Sequence, residues 1–424
     1  MVKTLRRHTL LLAGWSLNLI LTPFYIFASG NPQPADLLMA ILIAYVACGL
    51  FVRLPRMRDL YICVAVFLLI AVNVNLFWWT IYTDEFFIKS SLFYVFNAGV
   101  MISIVALYAS SEPERVSRFT AWGILIAVVI EVLLVIVFAG HEGIRSIGTF
   151  NNPNQLGYWC LASGACWLVV RGENRLDWLD AVVLAGAGYL TTVSLSKAAM
   201  GGFALLVVFA VVAHGVRSRW SAAAVGVVLL ALPMLIIEPA LLKNHVKDFF
   251  SHGTAALVVE RVESVGKQQD DSLAGRGYDR LWRNSGHLFF GAGEGAYDRF
   301  DSGPTAMELH STWGTVLFSY GIAGLLAFLA LLWASFRHAP RRYLFYFVPI
   351  ALYGLTHQGL RFSLFWVFLG LVIGVSRYRS PVRVPTTAQA RSPSDAANAA
   401  PLPRAPRPEA GYGARVGRVG GEVL

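Results

Sequence analysis

His310 and three closely spaced arginines are the side chains of this sequence best suited to acid–base and anion chemistry. His310 opens an apolar run, two positions after Glu308. Because an imidazole titrates near neutrality, His310 is a candidate general base, and a wet histidine at a membrane edge is the alternative. Arg276, Arg280 and Arg283 stand at i, i+4 and i+7, so a helix would put them on one face. Such a face suits bidentate contacts with phosphate, or is simply solvated.

A second polar stretch, residues 148–157, reads GTFNNPNQLG and leads into an apolar run. Amide side chains beside hydrocarbon are costly unless they are hydrogen-bonded or wet. A capped helix start explains Asn152 and Pro153, because asparagine suits the N-cap and proline suits the first turn. It explains Asn151 and Asn154 less readily, and these two are candidates for substrate contact.

Lys197 and Glu294 complete the set of candidates. Lys197 ends the segment Ser194-Leu195-Ser196-Lys197 between two apolar runs, where a lysine either extends to water or pairs with an anion. Glu294 lies in the glycine-rich stretch 291–297, GAGEGAY. The glycines permit a tight turn, and the stretch is no dinucleotide fingerprint because no strand–helix unit surrounds it.

Membrane-spanning helices are the elements that must position these residues. Of the 424 residues, 56% are hydrophobic and 14% charged, and the mean hydropathy is +0.57, too apolar for the surface of a soluble protein. Many apolar blocks approach the ~20 residues that cross a bilayer as a helix. The sequence therefore predicts an all-α, polytopic transmembrane bundle of about twelve spans. The predicted spans are 9–29, 36–54, 60–80, 88–109, 119–139, 154–170, 178–195, 198–214, 221–238, 309–335, 342–357 and 360–377.

The distribution of lysine and arginine predicts the orientation. With the N-terminus inside, the inner connections carry fifteen of these residues and the short outer ones four, namely Lys89, Arg145, Lys197 and Arg361. This bias favours cytoplasmic termini and accounts for the net charge of +10 without a nucleic-acid partner.

Four regions follow from this topology. We predict nine spans in 1–238, a long helical periplasmic loop in 239–308, three further spans in 309–377, and a disordered cytoplasmic tail in 378–424. All the polar stretches described above then fall on the outer side of the membrane.

In this order, the polar stretches resemble the O-antigen ligase and O-antigen polymerase superfamily of bacterial envelope glycosyltransferases. The resemblance covers roughly residues 140–335. It is carried by 148–157, Ser194–Lys197, Gly275–Trp282, Phe290–Gly295, and His310-Ser311 opening a span that contains Tyr320-Gly321.

The resemblance implies a multi-pass protein of the bacterial inner membrane with a helical periplasmic loop over a cavity. Such proteins take a glycan from undecaprenyl diphosphate and pass it to a glycan or lipid A core acceptor, with no nucleotide sugar, required metal or other cofactor. The implied partners are that donor and acceptor, membrane lipids, and a chain-length regulator or other polysaccharide assembly proteins.

The resemblance also implies residue roles. His310 matches the family's essential loop-end histidine, and Arg276 or Arg280 its loop arginine. Lys197 stands where the family more often has arginine, so the planar fork is lost at that position. We assign His310, Arg276 and Arg280 as catalytic. The assigned substrate-binding residues are Lys197, Asn151, Asn154, Arg283 and Glu294.

Several functions stay open at this point. The sequence does not decide among ligase, polymerase and protein O-glycosylation, nor between O-antigen and exopolysaccharide. A transporter or flippase of lipid-linked glycans is the alternative class, and it would place ionisable residues near the bilayer midplane. The apolar cores of the predicted spans are nearly free of charge apart from Glu131, which favours chemistry at the surface.

Overall fold

The computed structural model describes residues 2–28, 30–48, 57–138, 145–172, 175–215, 272–300 and 308–379. Predicted span 221–238, most of the predicted loop (239–271 and 301–307) and the tail from residue 380 lie outside the described residues.

The described chain is built from helices. Eight precede the predicted loop: α1 Val2–Leu21, α2 Pro34–Ala47, α3 Arg58–Tyr82, α4 Glu85–Ser110, α5 Pro113–Phe138, α6 Pro153–Arg171, α7 Trp178–Ser194 and α8 Lys197–His214. The loop and the following part contain α9 Arg280–Arg283, α10 His287–Phe290, a 3-10 turn Tyr297–Arg299, α11 Thr312–Phe336, α12 Arg341–Tyr353, α13 Ser363–Gly374 and a π-helix Val375–Arg379.

The prediction of an all-helical membrane fold is confirmed in this coarser form. Five of the described helices, α3, α4, α5, α8 and α11, are long and apolar enough to cross a membrane. Shorter apolar helices, α2 and α7 among them, accompany these five. Where the structure describes the residues of a predicted span, that span overlaps a helix, although only these five helices have the length and composition of a membrane span.

The helix boundaries differ from the predicted spans in places. The first helix ends at Leu21 rather than near residue 29, because Pro23 follows and cannot donate the next helical hydrogen bond. The last helix continues as a π-helix to Arg379, whose guanidinium donates to the Val170 carbonyl, so the boundary set for the tail at residue 378 lies two residues early.

Helix α6 lies at the centre of the bundle. It packs against α5, α7, α8, α12 and α13, and it is buried on nearly all of its circumference from Leu156 to Val170. A helix that is apolar on all faces needs neighbours on every side. The residues at the start of α6 are therefore held by several helices at once.

Helix α11 is broken at Gly321, whose φ of 67° and ψ of −174° are not helical. The carbonyls of Phe318 and Ser319 accept instead from the amides of Ala292 (2.9 Å) and Gly293 (2.8 Å). The glycine segment, Gly291–Gly295, is thereby inserted beside the break. A Cβ on Gly291 would overlap the Ser319 carbonyl, so glycine is required for this close approach.

Candidate functional site

The turn before α6 is held by Glu131, which lies in the middle of the predicted span 119–139. Its carboxylate is fully buried and accepts from the Thr149 amide (2.8 Å) and hydroxyl (2.7 Å). Gly148 has a φ of +58°, and a Cβ there would overlap this carboxylate. Asn152 then caps α6 by accepting from the Asn154 amide at 2.8 Å, as predicted. Glu131 therefore stabilises the turn before α6 through its hydrogen bonds with Thr149.

The break between α7 and α8 lies directly against the start of α6. Leu195 is buried in the left-handed region at a φ of 52°, a conformation that costs a non-glycine residue about 1 kcal/mol or more. A Cβ on Gly157 would come within 2.8 Å of the Ala199 Cβ and 2.9 Å of the Ser194 Oγ. Only glycine allows this contact, which brings the first turn of α8, where Lys197 lies, next to α6.

Arg145 joins these two helix starts. Its Nε donates to the Ser194 carbonyl (3.1 Å) and its Nη2 to the Asn154 Oδ1 (3.0 Å). Sequence reasoning counted Arg145 only as one of four outer cations and did not assign it to the site. An arginine in a short outer connection is an exception to the positive-inside bias, and this exception was the signal in the sequence that could have pointed to Arg145.

Arg276 and His310 meet through the backbone. The His310 amide donates to the Arg276 carbonyl at 3.0 Å, and the Arg276 guanidinium donates to the Thr356 carbonyl. The His310 imidazole makes no hydrogen bond with any described residue and is partly exposed. Ser311 next to it caps α11 by accepting from the Gly314 amide at 3.0 Å.

Tyr353, at the end of α12, connects Arg276 with Asn154. Its hydroxyl donates to the Asn154 carbonyl at 3.3 Å, and its ring stacks on His357 with centroids 4.7 Å apart. Thr356, three residues after Tyr353, supplies the carbonyl that accepts from the Arg276 guanidinium. We define the site cluster as Arg145, Asn154, Arg276, His310 and Tyr353.

The N-terminal ends of α6, α8 and α11 meet at this cluster. The Gly359 amide donates to the Thr312 hydroxyl at 2.8 Å, and a Cβ on Gly359 would lie 2.9 Å from the Tyr158 hydroxyl, which links α11 to α6. Each helix start carries roughly half a positive charge. We call this end of the bundle the site end. Its three helix starts favour an anion, and the C-terminal ends of α7 and α12, which lie at the same cluster, favour the arginine cations beside them.

Arg280 packs beneath the turn that contains Arg276, because a Cβ on Gly277 would lie 3.8 Å from the Arg280 guanidinium carbon and 3.5 Å from the Leu309 Cα. Arg280 is 2% exposed, with its guanidinium carbon 5.6 Å from the centre of the Phe300 ring. Burial lowers the pKa of Arg280, and Asp279 acts in the opposite direction. Arg283 is exposed and pairs with Asp279 at 3.3 Å.

The predicted arginine face is not formed. Residues 273–279 form turns and only Arg280–Arg283 is helical, so the spacing that depends on a helix does not apply. Gly277, with a φ of 75°, is incompatible with a continuous helix. Of the two arginines left open by the sequence, Arg276 is the one whose backbone carbonyl accepts from the His310 amide.

Asn151 lies outside the site cluster. Its Nδ2 donates to the Phe27 carbonyl at 2.8 Å, and its side chain is exposed. The structure therefore gives Asn151 a contact with the connection between α1 and α2.

Glu294 is buried in a separate ion-pair network, which we call the loop anchor (Glu294, Arg361, Glu308, Tyr94 and Tyr320). The Glu294 carboxylate is 0% exposed and accepts from the Tyr320 hydroxyl (2.8 Å), from the Arg361 Nε (2.8 Å) and from Tyr94. Arg361 also pairs with Glu308. Burial disfavours the charge of Arg361, but the two carboxylates outweigh it and raise the pKa of that guanidinium above its ordinary value. The predicted substrate residue Glu294 thus contacts groups of the chain itself.

Among the described residues, no three His, Cys, Asp or Glu side chains are grouped closely enough to hold a metal ion.

No model of a known protein family matches the chain, and no curated protein matches it in sequence.

Proposed function

We propose that this chain is an integral membrane glycosyltransferase of the bacterial inner membrane. It moves or polymerises an undecaprenyl-diphosphate-linked oligosaccharide at the periplasmic face, as a ligase or polymerase of surface polysaccharide. The twelve spans, the cytoplasmic termini and the helical periplasmic loop at 239–308 belong to this proposal. It is supported by the ordered resemblance of the polar stretches and by the site cluster.

The observation that carries the proposal is the convergence of cations and an imidazole at one end of the bundle. The His310 backbone amide donates to the Arg276 carbonyl, so the backbones of two of the three residues assigned to catalysis lie side by side. A chain of contacts through Thr356 and Tyr353 then reaches Asn154 and Arg145. A diphosphate, with several acceptor oxygens and negative charge, suits such a set of donors.

The proposed reaction is one displacement at the anomeric carbon of the donor sugar. The acceptor hydroxyl oxygen forms a bond to that carbon, and the bond from the carbon to the diphosphate oxygen breaks. The electron pair stays on the diphosphate, and the hydroxyl proton passes to the imidazole of His310. Arg276, Arg145 and Lys197 stabilise the negative charge that grows on the leaving group.

Arg145 compensates for the departure at position 197. A lysine there supplies charge without the planar fork of an arginine. The Arg145 guanidinium lies beside the same segment, bonded to the Ser194 carbonyl and held by Asn154. In this proposal Asn154 is a positioning residue for Arg145, and Arg280 supports the turn that presents Arg276.

The experiment is His310→Ala expressed at the normal protein level in cells that display the polysaccharide. We expect long-chain glycan to disappear and the lipid-linked donor to accumulate in the outer leaflet. His338→Ala is the matched control, because that histidine is exposed in the turn between α11 and α12, away from the site cluster.

Two outcomes would contradict the proposal. Donor retained in the inner leaflet would indicate a flippase, and unchanged glycan display would exclude His310 as the base. Purified protein reconstituted with lipid-linked repeat unit, with and without a core acceptor, then distinguishes polymerase from ligase.

A further inference from the structure

Two neighbouring aromatic residues in the loop region are unusually exposed. Phe289 is 71% and Phe290 85% exposed, although both belong to α10, whose first residue, His287, is packed among aromatic rings. His287 lies 5.4 Å from Trp78, 5.5 Å from Phe300 and 5.7 Å from Phe318, measured between ring centroids. Helix α10 is therefore held firmly on one side and presents two phenylalanines on the other.

The depth of α10 along the bundle follows from its contact with α11. A Cβ on Gly321 would overlap the Phe289 carbonyl oxygen, so Phe289 lies at the level of Gly321. Gly321 is nine residues beyond Thr312, where α11 starts. At the usual helical rise this is about 13 Å along the axis. The two phenylalanines thus lie well below the site end.

Apolar side chains that face outward surround this level of the bundle. On α11, Ile322 directly after the break is 47% exposed and Leu326 58%. On α3, Phe77 is 59% exposed and precedes Trp78, the residue that contacts His287. Phe289 and Phe290 therefore continue the apolar surface of two helices that are long enough to cross a membrane.

The backbone that follows Phe290 is paired within the protein, as a non-helical segment at membrane depth requires. The amide of Gly291 donates to the His287 carbonyl at 2.7 Å, and the Gly291 carbonyl accepts from the Trp78 Nε1 at 2.9 Å. The amides of Ala292 and Gly293 donate to α11.

We propose that Phe289 and Phe290 insert into the acyl chains of the leaflet at the site end, and that the loop region is thereby fixed to the lipid bilayer. The surface is continuous with the outward-facing apolar residues of α3 and α11. Exposed phenylalanines at this depth gain free energy by leaving water. This inference concerns the bilayer as a partner and does not depend on the proposed reaction.

The experiment measures where a spin label at position 290 resides in the full-length protein. Phe290→Cys is made in a background with Cys48→Ser and Cys63→Ala, labelled with a nitroxide, and placed in nanodiscs of phosphatidylethanolamine and phosphatidylglycerol. Ser285→Cys is the matched control, because Ser285 is exposed two residues before α10 and differs from cysteine by one atom. Collision with oxygen and with a water-soluble nickel chelate is measured at both sites.

We expect the label at position 290 to collide more often with oxygen and the label at position 285 more often with the nickel chelate. The logarithm of the ratio of the two collision rates, which reports depth in the bilayer, should therefore change sign between the two positions. If the chelate collides with the label at position 290 as often as with the label at position 285, the proposal is wrong. Protection from both reagents would also overturn it, because it would show that protein covers the phenylalanines. Phe289→Cys, measured in the same way, provides a second site if the label at 290 disturbs folding.

Discussion

The site cluster and the loop anchor both place arginine beside residues that the sequence marked as functional, but they differ in burial. In the loop anchor, Glu294 is fully buried and Arg361 14% exposed, and the pair is sealed between helices. In the site cluster, Arg276 and His310 are partly exposed, and the described hydrogen bonds of Arg276 involve carbonyl groups. A glutamate or arginine is thus available to a ligand only where the surrounding helices leave it accessible.

The largest expected effect concerns the loop anchor. Glu294→Ala leaves Arg361 buried without its main counter-charge and removes the acceptor of Tyr320. Removal of one partner of a buried ion pair typically costs about 3–5 kcal/mol. We expect a clearly lower melting temperature of the purified protein in nanodiscs.

The matched control for this variant is Lys89→Ala. Lys89 pairs with Glu85 at 3.4 Å, and both side chains are more than half exposed. Exposed pairs contribute little, so the melting temperature should not change. Equal melting temperatures for Glu294→Ala and Lys89→Ala would show that the buried ion pair of the loop anchor contributes no more to stability than an exposed pair.

The intermediate effect concerns the site cluster. Arg276→Lys keeps the charge but loses the planar fork, and a hydrogen bond that involves a charged group is worth about 1.5–3 kcal/mol. We expect glycan transfer to fall about tenfold to a hundredfold, since 1.36 kcal/mol corresponds to a factor of about ten. The melting temperature should fall much less than in Glu294→Ala, because a lysine can still donate to the Thr356 carbonyl.

Arg337→Lys is the control for this substitution. Arg337 pairs with Asp59 at 2.6 Å at the opposite end of α11. If Arg276→Lys and Arg337→Lys reduce the activity equally, Arg276 has no specific role in glycan transfer. A melting temperature of Arg276→Lys as low as that of Glu294→Ala would give Arg276 a structural role like that of Arg361.

The smallest effect is a pH dependence beside the loop anchor. Burial lowers the pKa of His287, and the nearby Arg299 lowers it further. A histidine with a depressed pKa stabilises the fold above its ordinary value of about 6.5 and loses this contribution as the pH falls below that value. Wild-type protein should therefore lose more stability between pH 7.5 and pH 5 than His287→Phe does.

Melting temperatures of the wild type and His287→Phe at several pH values test this prediction. The difference between the two proteins isolates His287 from the other histidines. A difference that stays constant with pH would mean that His287 titrates as it does in water.

The helix starts show how far local sequence reasoning reaches. The N-cap at Asn152 was predicted and is found, because capping depends on residues within one turn. The arginine face was predicted from spacing and is not formed, because Gly277 adopts a positive φ. Glycine at this position was visible in the sequence, but its conformation was not.

Arg145 and Tyr353 show the part of the site that local reasoning did not reach. Arg145 was recognised only as an outer cation, and Tyr353 lies in an apolar run with nothing to distinguish it. The hydrogen bond from Tyr353 to Asn154 joins residues 199 positions apart. No spacing rule applies to such a pair.

The amino-acid sequence by itself determined the apolar helical architecture and the short polar stretches between the helices. Apolar blocks and helix caps act over neighbouring residues, so they can be read from a linear pattern. Only the tertiary structure decided that the Arg276 backbone lies beside His310 and that Glu294 is buried with Arg361. Burial and ion pairing depend on which helices pack together, and that is a property of the whole chain.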